Sequence, residues 1–367
     1  MGMFLIKQYD ITYSVFNMIN AQRRVLITGG CGYLGTYLAN YLHRKNMRVR
    51  VIDVIEHKKD DYEGDIEFVK SDVRNYDTLC DSIKNVDCII HGAAALPSAK
   101  AKEIYSITVE GTSNILRGAQ RYNVERVVYI SSTAVYGWQK KIPIEETAQL
   151  NGVIPHAKSK IIAEQLCESY KRKGIVIPIL RPMPLVGIGR LGIFEILFDW
   201  IKDNKKIPLI GTGFNKLQLL DTEDLLEAIY LTIVLPSQRV NDIFNIGAEE
   251  YESLEEDLCA LIKTVQSTSK IIHLPANAIK FILKILERCK ISPIYAGVYA
   301  IIDKDLSVSI TKIKKQLEWT PKRSNTQALI NAYTWYRENH NQQTYSNCKT
   351  NKGILKKGIL TILKKVL

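Results

Sequence analysis

Apolar and polar positions alternate along this chain in two rhythms. Short unbroken apolar runs fall at 24–28, 48–54, 66–69, 87–91, 126–131 and 175–180. Between them, at 33–45, 75–84, 101–122 and 157–173, apolar residues recur every three or four positions. The first rhythm predicts buried strands and the second amphipathic helices. Strands alternating with helices imply right-handed crossovers and a parallel sheet covered on both faces. The expected fold class is α/β, a doubly wound parallel sheet with a smaller C-terminal substrate domain. The rhythm breaks after Arg181, where prolines and glycines cluster in 181–187 and 207–213. Irregular structure there suggests a smaller domain over the C-terminal edge of the sheet, the edge at which such sheets bind ligands. The stretch 216–234 then returns to the first domain as strand and helix. The expected divisions are an N-terminal extension at 1–22, a nucleotide-binding domain at 23–180 plus about 214–247, a substrate domain at 181–213 plus about 248–335, and a basic tail at 336–367.

The first strand runs into Thr28-Gly29-Gly30-Cys31-Gly32-Tyr33-Leu34-Gly35, and a helical pattern follows at once. This is the strand, tight turn and helix of a Rossmann dinucleotide site. Gly29 permits the sharp turn, Gly32 lets a pyrophosphate approach the backbone, and Gly35 lets helix and strand pack closely. The helix N-terminus offers N–H groups and a positive dipole end to the phosphates. A second strand ends with Asp53, 18 residues after Gly35. A carboxylate there accepts hydrogen bonds from the adenosine ribose and repels a 2′-phosphate, which favours NAD over NADP. Lys58 and Lys59 soften that preference. The plainer alternative is that Asp53 only shapes the strand-end turn.

Composition narrows the class. The chain has 367 residues and ordinary apolar and charged fractions, enough for one large domain or two sharing a cleft. Its seven scattered cysteines form no Cys-x-x-Cys pair, which fits a reducing, cytoplasmic compartment and argues against a disulfide framework or structural zinc. No apolar run is long enough to span a membrane, and Gln8, Asp10 and Asn17 interrupt any signal-peptide core. The net charge is +12, and residues 341–367 supply half of it through six lysines and no acid. Charge gathered in one tail, without an RNA-binding signature, zinc finger or arginine-rich tract, argues against a nucleic-acid partner. Within that tail, residues 353–367 place apolar positions at steps of three and four with lysines opposite. Such a stripe suits an anionic membrane surface, on the inner face of a membrane, or equally a protein surface.

Three residues stand out as candidate chemistry. Ser132 follows a buried-looking strand that ends at the expected cleft, and His156 and Lys160 sit four apart at the start of a helix, facing one side. A hydroxyl, an imidazole and an ammonium converging on a nicotinamide are able to move a proton and a hydride. Taken singly, Ser132 is equally read as a strand cap, Lys160 as a solvated lysine and His156 as a helix-start residue.

Several motifs, in order, resemble the extended short-chain dehydrogenase/reductases of the sugar-nucleotide epimerase and dehydratase branch. They are the glycine loop, Ser71-Asp72-Val73, His91-Gly92-Ala93-Ala94, Val109-Glu110-Gly111-Thr112-Ser113-Asn114, Ser131-Ser132-Thr133-Ala134-Val135-Tyr136-Gly137, Arg181-Pro182, Phe244-Asn245-Ile246-Gly247 and Leu317-Glu318-Trp319-Thr320-Pro321. The similarity spans roughly 24–335. It implies NAD held by Gly29, Gly32, Tyr33, Leu34, Gly35, Asp53, Asp72, Val73, Ala93 and Lys160, with Ser132 and Lys160 in the catalytic Ser/Thr and lysine positions. It also implies a nucleotide-diphosphate sugar substrate, no metal, and a homodimer built through the helices at 101–122 and 157–173. The family's catalytic tyrosine falls at position 156, where this chain has His156, and Thr108 stands where the family usually has asparagine. Three readings follow for His156: it is the base, another residue or a water supplies the proton, or the site binds NAD without turnover. Thr133 and Ala134 occupy the positions of a dehydratase's Asp-Glu pair, which favours epimerisation or simple oxidoreduction.

Overall fold

The computed structural model describes residues 23–56, 61–191, 194–289, 292, 299 and 301–340. The six apolar runs become β1 (Arg24–Thr28), β2 (Arg48–Asp53), β3 (Glu67–Lys70), β4 (Cys88–His91), β5 (Arg126–Ile130) and β6 (Ile179–Pro182). Three short strands follow, β7 (Leu185–Val186), β8 (Ile207–Ile210) and β9 (Leu220–Asp221), and then β10 (Ile243–Ile246) and β11 (Ile271–Leu274). The main sheet runs β10-β6-β5-β4-β1-β2-β3, with every neighbouring pair parallel. The chain winds from β1 outward to β3, then returns to β4 and winds the other way. The reversal opens a crevice at the C-terminal ends of β1 and β4, where an open parallel sheet binds its ligand.

Burial explains the unbroken apolar runs. Val25 and Ile27 turn to one face, against Leu38 and Leu42 of helix Tyr33–Arg44 and Ile229 and Ile233 of helix Thr222–Val234. Leu26 turns to the other face, with Ile83, Ile115, Leu116 and Val127. Strands covered on both sides carry apolar residues at every position. A separate core gathers Phe198, Trp200, Leu209, Leu258, Leu261, Leu329 and Tyr333 from helices Phe194–Lys202, Leu254–Thr264 and Asn325–Asn339 and from β8. Two of these helices start on capping boxes, Ser253 with Glu256 and Ser324 with Gln327.

Four expectations shift. The run at 175–180 yields a strand only from Ile179, because Pro178 has no N–H for the ladder and Ile177 N–H donates to the Asn241 side chain. The helix at 101–122 is broken by a π-turn at Ser106–Glu110. The strand expected after Lys216 does not join the main sheet. Gln218 and Leu219 already donate to Leu306 and Asn325, so the two-residue β9 pairs with β7 and β10 takes the sheet edge. Helix Asn325–Asn339 also runs past residue 335, so the tail set at 336 begins inside it. The extension at 1–22, Lys58 and Lys59, and the amphipathic stretch 353–367 lie outside the described residues.

Candidate active site

The glycine turn closes β1 onto its helix. Gly29 has φ +72°, and a Cβ there would press on the backbone of Ala93 at 3.0 Å. At Gly35 a Cβ would fall 2.2 Å from the Gly29 carbonyl oxygen, so any side chain forces helix and turn apart. A Cβ on Gly32 would meet only the Gly29 oxygen, at 3.2 Å. Gly32 begins helix Tyr33–Arg44 without a side-chain cap. The first N–H groups, those of Tyr33 and Leu34, are therefore left for an anion. This cradle fits a pyrophosphate. The Tyr33 hydroxyl donates to Ile188 O at 2.7 Å and lies 2.8 Å from Thr222 Oγ1, tying the turn to the segment after β7.

Asp53 shapes the turn. Its carboxylate accepts from Cys31 N–H at 3.0 Å and from Ile55 N–H at 3.1 Å, one on each oxygen. Each oxygen keeps a further lone pair for a ribose hydroxyl. At the next strand end, Asp72 is gripped by the Arg74 fork, which holds its pKa below the ordinary carboxylate value. Val73 is buried, and a Cβ on Gly111 would lie 2.7 Å from its Cγ2. Asn114 Nδ2 donates to Val73 O and Arg74 O, so the helix motif at 109–114 shapes the same border.

Ser132, two residues beyond β5, is in extended backbone. Its Oγ accepts from Ala134 N–H at 3.1 Å, capping the 3-10 turn Thr133–Tyr136. The side chain thus caps the 3-10 turn rather than the strand, and the hydroxyl hydrogen has no acceptor among the described residues. Helix Pro155–Lys171 brings His156 and Lys160 to this turn. Gly152 makes the approach possible, since a Cβ there would lie 2.5 Å from Ala157 Cβ and 3.0 Å from Ala134 O. Gly137, at φ +61°, lets the turn pass Asn151 O, which a Cβ would meet at 2.5 Å. Sequence reasoning placed Gly137 in a motif without a role and passed over Gly152.

Lys160 is not a solvated lysine. It is 4% exposed, its Nζ donates to Ile130 O at 2.6 Å, and it stands 4.8 Å above the Tyr129 ring. Burial lowers its pKa to about 8, against an upward pull from Glu164. Burial also lowers His156 to about 4, and the Lys160 charge adds to the fall. His156 is therefore neutral across the ordinary pH range, and its buried Nδ1 has no hydrogen-bond partner. Burial and the adjacent ammonium both disfavour the imidazolium, so His156 keeps a free nitrogen lone pair at neutral pH.

Two buried networks support these groups and were missed from sequence. In the first, His91 Nδ1 lies 2.7 Å from Thr28 Oγ1 and Nε2 lies 3.0 Å from Thr112 Oγ1. Thr112 donates onward to Thr108 O, so Nε2 carries the proton and Nδ1 accepts from Thr28. Burial, with Lys160 second, lowers His91 to about 3 and keeps it neutral. In the second, Glu164 accepts from Ser131 Oγ and from Arg181, and Arg181 also donates to Tyr136 OH, which donates to Asn245. Lys160 and Glu164 are four apart on one helix face, a spacing visible in the sequence. Their partners come from three other parts of the chain.

An open glycine turn at the switch point and an acid at the end of the second strand define a dinucleotide-binding protein of the doubly wound α/β class. The sequence profile of the NAD dependent epimerase/dehydratase family matches residues 25–247, and the chain belongs to that family. It is 29% identical over 343 residues, 93% of this chain and 85% of the other, to the uncharacterized protein y4nG of Sinorhizobium fredii. It is 28% identical to the UDP-glucose 4-epimerase of Lactobacillus helveticus, over 86% of this chain and 97% of that one. The fold is shared with the UDP-glucuronic acid 4-epimerase of Bacillus cereus, solved in complex with NAD, at TM-score 0.71 and 19% identity over 86% of this chain and 99% of that one.

Proposed function

We propose that the protein is an NAD-dependent epimerase, or an oxidoreductase of the same kind, acting on a nucleotide-diphosphate sugar. The observation that carries the reading is the placement of His156 and Lys160 one turn apart at the start of helix Pro155–Lys171, with Lys160 4% exposed and its Nζ donating to Ile130 O, two residues before Ser132. Gly29, Gly32 and Gly35 with the N–H groups of Tyr33 and Leu34 hold the pyrophosphate. Asp53 takes the adenosine ribose, Asp72 and Val73 border the adenine, and Ala93 and Lys160 flank the nicotinamide end. Bound NAD supplies the hydride acceptor and, later, the donor. The Ser132 hydroxyl donates to the sugar oxygen, and His156 removes the sugar hydroxyl proton. An imidazole is shorter than a phenol, so the transfer runs directly within about 2.6–3.2 Å or through one water. Lys160 keeps His156 neutral by its charge. Thr133 is buried, with its hydroxyl on Pro182 O, and Ala134 has no acid, which supports epimerisation or redox over dehydration.

The test is to incubate the protein with NAD and a panel of UDP- and dTDP-sugars and to analyse products. Wild type is expected to form an epimer or oxidised sugar. His156→Gln should lose about 10²–10⁴-fold in turnover while still binding NAD. Equal turnover by the variant would move the proton-transfer role to another group. No product from any sugar, with NAD bound, would leave a cofactor-bound scaffold.

A further inference from the structure

Among the described residues, contacts to helix Ala276–Arg288 gather on one side. Leu283 is buried, Lys280 pairs with Asp303, and Tyr299 OH donates to Glu287. Ala278, Phe281, Ile282, Ile285 and Cys289, at steps of three and four, form a stripe on another side. Phe281 is 66% exposed, Ile282 48% and Ile285 46%. Among the described helices, no other exposes more than one large apolar side chain. Lys284 and Arg288 border the stripe, and no carboxylate of the described residues pairs with either.

Charge selects the occupant. The chain's own tail, residues 341–367, carries six lysines and no acid, so it offers Lys284 and Arg288 no opposite charge. A second copy, packed by the same face, would bring the two Lys284–Arg288 edges together. An anionic lipid surface takes both the apolar stripe and its basic border. We propose that helix Ala276–Arg288 docks in the interface of an anionic bilayer, with Phe281, Ile282 and Ile285 at the acyl boundary and Lys284 and Arg288 among the phosphates.

The test is co-sedimentation of the full chain with vesicles of phosphatidylglycerol and phosphatidylcholine in equal parts. Wild type is expected to pellet. F281E/I285E should lower the bound fraction about tenfold or more with the tail intact, and should keep NAD affinity, which reports that the fold is whole. K284E/R288E should lose binding to these vesicles, and phosphatidylcholine alone should hold wild type less well. Failure of wild type to pellet, or binding of F281E/I285E equal to wild type, would overturn the proposal. So would a solution mass that halves on F281E/I285E without lipid, which would assign the stripe to a second copy.

Discussion

His156 and Lys160 share a pH window. His156 gives up its proton at about 4, and Lys160 keeps its own to about 8. Neutral base and charged neighbour coexist only between those values. On the proposed roles, kcat/KM for a nucleotide sugar should rise as pH climbs through about 4, hold level, and fall above about 8. A Lys160→Met variant should lack the upper fall, and a profile with its acid limb near the ordinary histidine value of 6.5 would show that His156 is not buried as described. Stability moves with the same shift. Both His156 and His91 have pKa values lowered by burial, so the unfolded chain binds protons below 6.5 that the folded chain refuses until about 4 and about 3. Folding therefore weakens as pH drops through that range. The histidine itself was legible, because one position in a run of motifs breaks the pattern. Its neutral state was not, since it depends on burial by residues distant in sequence.

At the scale of elements, the glycine turn and the alternating rhythm made the sheet readable. Strands buried on both faces announce themselves, and Gly29, Gly32 and Gly35 behave as their spacing implies. What escaped was whatever depends on a competing partner for the backbone. Pro178 and Asn241 trim β6, and Leu306 and Asn325 draw 218–219 away from the sheet. The π-turn at 106–110 holds the Thr108 carbonyl that accepts from Thr112, which in turn meets His91, a contact that no local pattern displays. The Glu164–Arg181 pair joins helix Pro155–Lys171 to β6, with both side chains under 5% exposed. Removing one charge leaves the other buried alone, so Glu164→Gln should cost about 3–5 kcal/mol in urea unfolding. A loss below about 1 kcal/mol would mean that solvent reaches Arg181.

At the scale of the whole molecule, the switch point fixes where a reaction can take place. β1 and β4 diverge in winding there, and the ends of β1, β2 and β4 and the turn after β5 all meet the same crevice. On the proposed roles, the acid at the end of β2 sets which dinucleotide fits. The most direct test is calorimetric titration of the purified chain with NAD and with NADP. The account predicts saturable one-to-one binding of NAD, with NADP weaker by about tenfold or more because Asp53 repels the 2′-phosphate. Absence of any heat of NAD binding, or a preference for NADP, would contradict it.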